Sequence, residues 1–347
     1  MLYFLTKAYT GQTIWFFIWG AGWRRVPFIQ PLTYEELFRK RRAPVGNYVF
    51  TDFDRMSAYE IQCAASVAQT MQDFDPAIRI YNHPLKALER FALLSKLQQE
   101  GLNDFGAVRL EGGGRPAAYP VFLRCEDDCK KPDSGLLQNE TEFDAAVAGL
   151  GGRGIPLKRR IAVQYHAEAS PDGFFRKYGA LRIGNRIVLQ HILRNTDWYV
   201  KRGQVERDAA AEQEFMNLFD NFTHAETLEK VFDLAKIDYG RADYGIVNGR
   251  IQIYEINTNP TIPKLRRKRV NNDGRYLRLA PTLLEGFQSM NTPHRTGPPI
   301  RFPLPSPQFE PFHPLGFWTK AELLRLRLRA YDSVLRPPAI PGFGSTR

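Results

Sequence analysis

The chain has 347 residues, 43% of them hydrophobic, enough to bury a sizeable core in two or three lobes. Its 48 Lys and Arg against 37 Asp and Glu give a formal net charge of +11, which favours acidic partners such as nucleotides, phosphorylated compounds, nucleic acid or anionic lipid without choosing among them. Three cysteines, Cys63, Cys125 and Cys129, exclude a disulfide framework and, with no second Cys or His pair, a zinc site; they suit a reducing, cytoplasmic setting.

The first apolar run, TIWFFIWGAGW at 13–23, is shorter than the roughly 18–20 residues a transmembrane helix needs. Followed by Arg24 and Arg25, it also makes a poor signal-peptidase site, so it reads as a buried strand or a surface helix. Peripheral membrane contact through Trp15, Trp19 and Trp23 is the lesser alternative. A strand is predicted over 47–53 and a helix over 57–74, begun by a capping box of Ser57 and Glu60. Residues 1–84 therefore form a small α/β lobe.

Residues 85–290 hold predicted helices over 85–101, over 141–150 with a cap from Thr141 and Asp144, and over 223–237 with a box of Thr223 and Glu226. Strands run between them over 118–125, 160–166 and 177–193. From 291 the chain becomes a proline-rich extension with an amphipathic stretch, KAELLRLRLRAYDSVLR, near its end. The basic runs FRKRR (38–42) and KLRRKR (264–269) read as solvated faces, with no nucleic-acid recognition motif beside them.

The most informative stretch is DYGRADYGIVNGRIQIYEINTNPT, 238–261, a hairpin that finishes on Glu255, Asn257 and Asn259 before Pro260. Side chains two apart share a face of a strand, so Arg241 goes with Asp243 and Glu255 with Asn257. A two-residue Asn248-Gly249 loop would set Asp243 opposite Tyr254 and throw Glu255 to the other face, so a shared face excludes it. A three-residue loop, Val247-Asn248-Gly249, with Gly249 left-handed as a bulge, sets Arg241 opposite Glu255 and all four on one face. The other face is then Ala242, Tyr244, Ile246, Gln252, Tyr254 and Ile256. Two carboxylates and an amide oxygen on one face are hard ligands suited to Mg²⁺ beside phosphates, with Arg241 placed to meet phosphoryl oxygens or an oxyanion. A solvated face with an Arg-Glu cross-strand pair is the alternative.

These residues resemble the end of the catalytic lobe in ATP-grasp enzymes: Arg-x-Asp, a short hairpin, then Glu-x-Asn and Pro, here Arg241-Ala242-Asp243 and YEINTNP. The resemblance implies an α+β ATP-grasp fold at 85–290, two subdomains gripping ATP, preceded by the N-terminal α/β lobe and followed by the extension at 291–347. It implies Mg²⁺ on Asp243, Glu255 and Asn257, and transition-state charge met by Arg241 and by Arg182. Arg90 and Arg124 stand where the family has basic nucleotide-binding residues, although both depart from Lys. Gln164, Tyr165, His166, Ala167 and Glu168 look like the interlobe hinge that meets adenine and ribose. Where the family carries a glycine-rich loop, this chain has CEDDCKKPDSG at 125–135, with Lys130 and Lys131 as possible substitutes in charge.

The implied activity is an ATP-dependent carboxylate–amine ligase, acting through an acyl phosphate on a small-molecule or peptide carboxylate and an amine, and not on nucleic acid. A small-molecule kinase and a catalytically weak nucleotide-binding protein are the alternatives. A homo-oligomer stays open.

Overall fold

The computed structural model describes residues 1–21, 24–128, 131–200, 209–262 and 274–305. The basic run at 264–269, the amphipathic stretch near the C-terminus, Cys129 and Lys130 lie outside these residues.

The N-terminal lobe is a parallel sheet in the order β2-β1-β4-β5, built from β1 (Leu2–Thr6), β2 (Ile29–Thr33), β4 (Asn47–Phe50) and β5 (Ile80–Tyr81). The run at 13–23 forms helix α1 (Gln12–Ala21), whose Ile14, Phe17 and Ile18 are buried while Trp19 stays exposed. Among the described residues, no helix is long and apolar enough to cross a membrane. On the other face of the sheet lie α2 (Tyr34–Lys40) and α3 (Ala58–Phe74), their apolar side chains packed with Tyr3, Leu5 and Tyr48. The predicted capping box is present: the Ser57 side chain accepts from Glu60 N–H, and the Glu60 carboxylate accepts from Ser57 N–H.

A second sheet is antiparallel in the order β10-β9-β11-β12, from β9 (Phe175–Ile183), β10 (Arg186–Asn195), β11 (Tyr239–Val247) and β12 (Arg250–Asn257). One face packs on α4 (Arg90–Gln99), α6 (Ala209–Asp220) and α7 (Ala225–Ala235). The other face shares a core with α1, β1 and the long helix α8 (Gly274–Met290), through Leu181, Ile183, Tyr239, Leu283 and Phe287. A smaller antiparallel sheet, β6-β8-β7 (Ala107–Arg109, Arg160–Gln164, Val121–Cys125), carries α5 (Glu140–Gly152). Past residue 290 the chain returns to the N-terminal lobe, where β13 (Ile300–Arg301) pairs with β3 (Arg42–Ala43) and Phe302 enters the core.

Several element boundaries differ from expectation for local reasons. Helix α4 begins only at Arg90, because Leu88 N–H is drawn to Ala235 O at 2.9 Å. Helix α5 is capped by Asn139, which accepts from Glu142 N–H, and not by Thr141 and Asp144. The Thr223 box does not form; His224 occupies the cap of α7 without a side-chain capping bond, and its ring is held by Tyr244 at 2.9 Å.

The largest correction is in the hairpin. The loop has two residues, not three: Val247 pairs with Arg250, and Asn248 and Gly249 take φ of 50° and 74°, a mirror-image turn. Parity is restored by a bulge further down, where Tyr244 pairs with Ile253 and Asp243 with Glu255, leaving Tyr254 as the extra residue. Ile251 and Ile253, not Gln252 and Tyr254, therefore join Ala242, Tyr244, Ile246 and Ile256 in the core. Tyr254 is turned toward the small sheet: its ring lies against Phe105 and its hydroxyl donates to His166 O at 3.3 Å. Gly249→Val should cost roughly 1–2 kcal/mol, as a β-branched residue is forced left-handed. Because the bulge sets the register, Asp243 should still face Glu255. Urea unfolding beside a crystal structure of the variant checks both points.

Candidate functional site

Four strands place one residue each in a row across the sheet: His191, Gly179, Asp243 and Glu255. Gly179 is required there, since a Cβ would come within 2.5 Å of the His191 ring. Along β11 the face changes from apolar to polar. Tyr239 is buried beneath the N-terminal lobe, and Arg241 and Asp243 follow at the edge of that cover.

Asp243 is 1% exposed and accepts from Arg241 Nε at 2.5 Å and Nη2 at 3.3 Å, with Lys177 Nζ at 3.2 Å. Burial opposes its charge, but Arg241, Lys177 and His191 together hold its carboxyl well below the usual carboxylate range. Glu255 is likewise held low, against burial and the repulsion of Asp243, chiefly by Arg90 and further by Arg124 and Lys177. Arg90 Nη2 donates to Glu255, while Nη1 donates to the carbonyls of Cys125, Glu126 and Asp128 at 3.2, 3.1 and 2.8 Å. Burial disfavours charge on Arg90, yet Glu255 outweighs it and raises its pKa. Arg124 donates to the Cys125 and Asp128 carbonyls at 3.3 and 3.0 Å, and burial beside Arg90 lowers its pKa.

Asn257 lies two residues along β12, opposite Arg241, which was expected to face Glu255, and its side-chain oxygen accepts from Asn259 N–H at 2.9 Å. Asn259 in turn joins the lobes: it donates to Asp52 at 2.9 Å and accepts from Thr13 at 2.6 Å. This accounts for a strand rich in Ile and Tyr that ends in amides. They shape the polar end of the hairpin and tie it to the N-terminal lobe. A groove opens here, lined by Asp54, Arg90, Glu126, Asp127, Glu255 and Asn257.

The sequence-derived residues thus separate into three sets. Arg241, Asp243, Glu255, Asn257, Arg90 and Arg124 converge. The stretch 164–168 bridges the small sheet to the hairpin: Gln164 exchanges bonds with Gly106, Tyr165 N–H donates to Pro120 O, and the His166 ring stacks on Phe105. Glu168, expected at the ribose, accepts from Asn248 N–H at the hairpin tip, five residues (248 − 243) beyond Asp243. Arg182 is a correction. It lies on the opposite face, where it bonds Asp233 at 2.5 Å and sits over the Phe232 ring. Lys177, five residues (182 − 177) earlier and hence of opposite parity, takes the position beside Asp243.

No protein-family model matches the chain, and no curated protein matches it. Among solved structures it is similar to D-alanine–D-alanine ligase from Bacillus anthracis, with TM-score 0.48 and 10% identity over 84% of this chain and 97% of that one. The same enzyme complexed with ATP gives 0.46 and 11% over 84% and 98%, and the Helicobacter pylori enzyme gives 0.41 and 10% over 84% and 99%. Overlaps as loose as these carry no weight for function; the site geometry must.

Lys177, His191, Asp52 and Asp54 belong to this region without having stood out in the sequence. Lys177 and His191 are identifiable only once β9 is known to lie between β10 and β11. Burial, only partly offset by Arg55, raises the Asp54 carboxyl to about 6. Its unfolded value is near 3.9, so the unfolded chain loses this proton first, and the group lowers stability as pH rises from about 4 to 6. Asp54→Asn should therefore melt higher than wild type at pH 7–8, by on the order of 1–2 kcal/mol, with the difference gone below about pH 4. Thermal melts across that range check the sign.

Proposed function

We propose that the chain is an ATP-dependent ligase of the ATP-grasp type, which activates a carboxylate as an acyl phosphate and joins it to an amine. The observation that carries this reading is the opposition of the buried Asp243 and the partly buried Glu255 among four cations, Arg90, Arg124, Lys177 and Arg241.

The donor set is of the right chemical kind for the metal, which would compete with Arg241 and Lys177 for the two Asp243 oxygens. Two facing carboxylates and the Asn257 amide oxygen are hard ligands of the kind Mg²⁺ takes while keeping waters and phosphate oxygens. Asp243, Glu255 and Asn257 would hold it, and when bound it would supply neutralisation of the phosphate charge. Arg90 and Arg124 would turn from the 125–128 carbonyls to the phosphates, binding them as planar forks in place of the family's Lys. Arg241, fixed by Asp243, and Lys177 would face the transferring phosphoryl group and the oxyanion of the tetrahedral intermediate. Residues 125–128 would lie over the triphosphate in place of a glycine-rich loop; Glu126 and Asp127 anchor them through Arg109 and Arg159.

One observation favours a second reading, a catalytically weak nucleotide-binding protein. The donors of Arg90 and Arg124 are already engaged by backbone carbonyls, with which phosphates must compete. Titration calorimetry with ATP tests what both readings share. Saturable binding that requires Mg²⁺ is expected, and absence of binding at millimolar ATP with Mg²⁺ would overturn both.

A further inference from the structure

The ligase reading gives work to one wall of the groove and none to the wall from the N-terminal lobe. That wall is a 3₁₀ turn, Phe53–Arg55, directly after β4. Asp52, immediately before it and 0% exposed, accepts from Lys7 N–H, the Thr10 hydroxyl, Arg55 and Asn259 at 2.8, 2.5, 2.8 and 2.9 Å. The turn is thereby pinned to the end of the metal-site hairpin. Asp54 is different: its side chain keeps 30% exposure, lines the groove with Arg90, Glu255 and Asn257, and takes one bond from Arg55 at 2.9 Å. Thus a rigidly mounted carboxylate shares with Arg90, Glu255 and Asn257 the groove where the ligase reading puts the acyl phosphate.

We propose that Asp54 is the base that takes the proton from the attacking nucleophile, and that this nucleophile is an amine entering along the N-terminal lobe. The proposal rests on the ligase reading. The amine arrives as its ammonium and passes one proton to the Asp54 carboxylate, which frees the nitrogen lone pair to bond the acyl carbon. The C–O bond to the phosphoryl oxygen then breaks, and phosphate leaves with the electron pair toward Arg90 and Lys177, taking the nitrogen's second proton. A carboxylate suits an incoming ammonium in charge, which a neutral hydroxyl would not need. Burial, with Asp52 nearby and Arg55 and Arg90 opposing, raises Asp54 to about 6, close enough to working pH to gain and lose a proton in each turnover.

The test compares amide and hydroxamate formation in one sample. Wild type and Asp54→Asn are incubated with Mg-ATP and a deproteinised small-molecule extract of the cells that make the protein, with hydroxylamine added, and products are read by mass spectrometry. Hydroxylamine is largely unprotonated at neutral pH and needs no base, whereas ordinary amines do. The ratio of amide to hydroxamate should fall about 100-fold in Asp54→Asn. Because both products come from the same folded molecules, partial unfolding of the variant does not alter the ratio. An unchanged ratio would overturn the role of Asp54 while leaving the ligase reading intact. Absence of both products in wild type would remove the ligase reading itself, and this proposal with it.

Discussion

Asp243→Ala should destabilise the protein by about 3–5 kcal/mol, the range seen when one partner of a buried ion pair is removed and the other is left uncompensated. Asp243 sits at the centre of the row, between β9 and β12, and is the shared acceptor for Arg241 and Lys177. Their side chains are only 15% and 22% exposed, so water cannot readily replace the lost carboxylate. Arg241 and Lys177 would also repel each other and the nearby Arg90. Acid should reproduce the effect in wild type. The folded pKa of Asp243 is depressed, so its stabilisation is complete above the unfolded value near 3.9 and is lost as pH falls below it toward the folded value. Urea titrations at pH 7 and at pH 3 check this: the gap between wild type and variant should narrow at the lower pH. An equal gap at both would mean that the carboxylate's charge is not what stabilises the sheet.

Glu255→Gln should act on function more than on folding. The amide keeps the size of the side chain and can still accept from Arg90, which remains anchored by three carbonyls of the 125–128 loop. What disappears is one negative charge facing Asp243. A divalent cation at that face loses a charged ligand, and affinity for Mg-ATP, turnover, or both should fall by about 100-fold or more. Calorimetry with Mg-ATP and circular dichroism on the same sample separate the two effects. Unchanged Mg-ATP binding in a folded Glu255→Gln protein would remove Glu255 from the metal face.

The hairpin was the part most legible in sequence, because Arg241, Asp243, Glu255 and Asn257 are spaced by the two-residue period of a strand. Their sharing of one face was readable; the means was not. Asn-Gly is the strongest signal for a two-residue turn, and a bulge at Tyr254 restores parity just as an odd loop would. That bulge follows from a tertiary fit of Tyr254 against Phe105 and His166, which no local pattern carries. Arg182 failed for a related reason. Which face of β9 meets the hairpin's polar side depends on strand order, and only Lys177 has the right parity.

The capping box at Ser57 was legible because it is closed within four residues. The caps at Thr141 and Thr223 were misplaced where a neighbouring Asn139 or a tertiary bond to His224 competed. The part played by the N-terminal lobe was the least visible. Asp52, Asp54 and Thr10 lie in a loop with no motif of its own, and they acquire meaning only when Asn259 is brought against them from 207 residues (259 − 52) away.

The most direct test of acyl-phosphate ligation follows the γ-phosphate of ATP labelled with ¹⁸O through reaction with a panel of acids and amines, read by mass spectrometry. The ligase account predicts ADP, label in free phosphate, and a condensed amide of matching yield. Label transferred stably to an acceptor would identify a kinase, and tight Mg-ATP binding with no turnover would favour the weak binding protein. Either result would contradict the account.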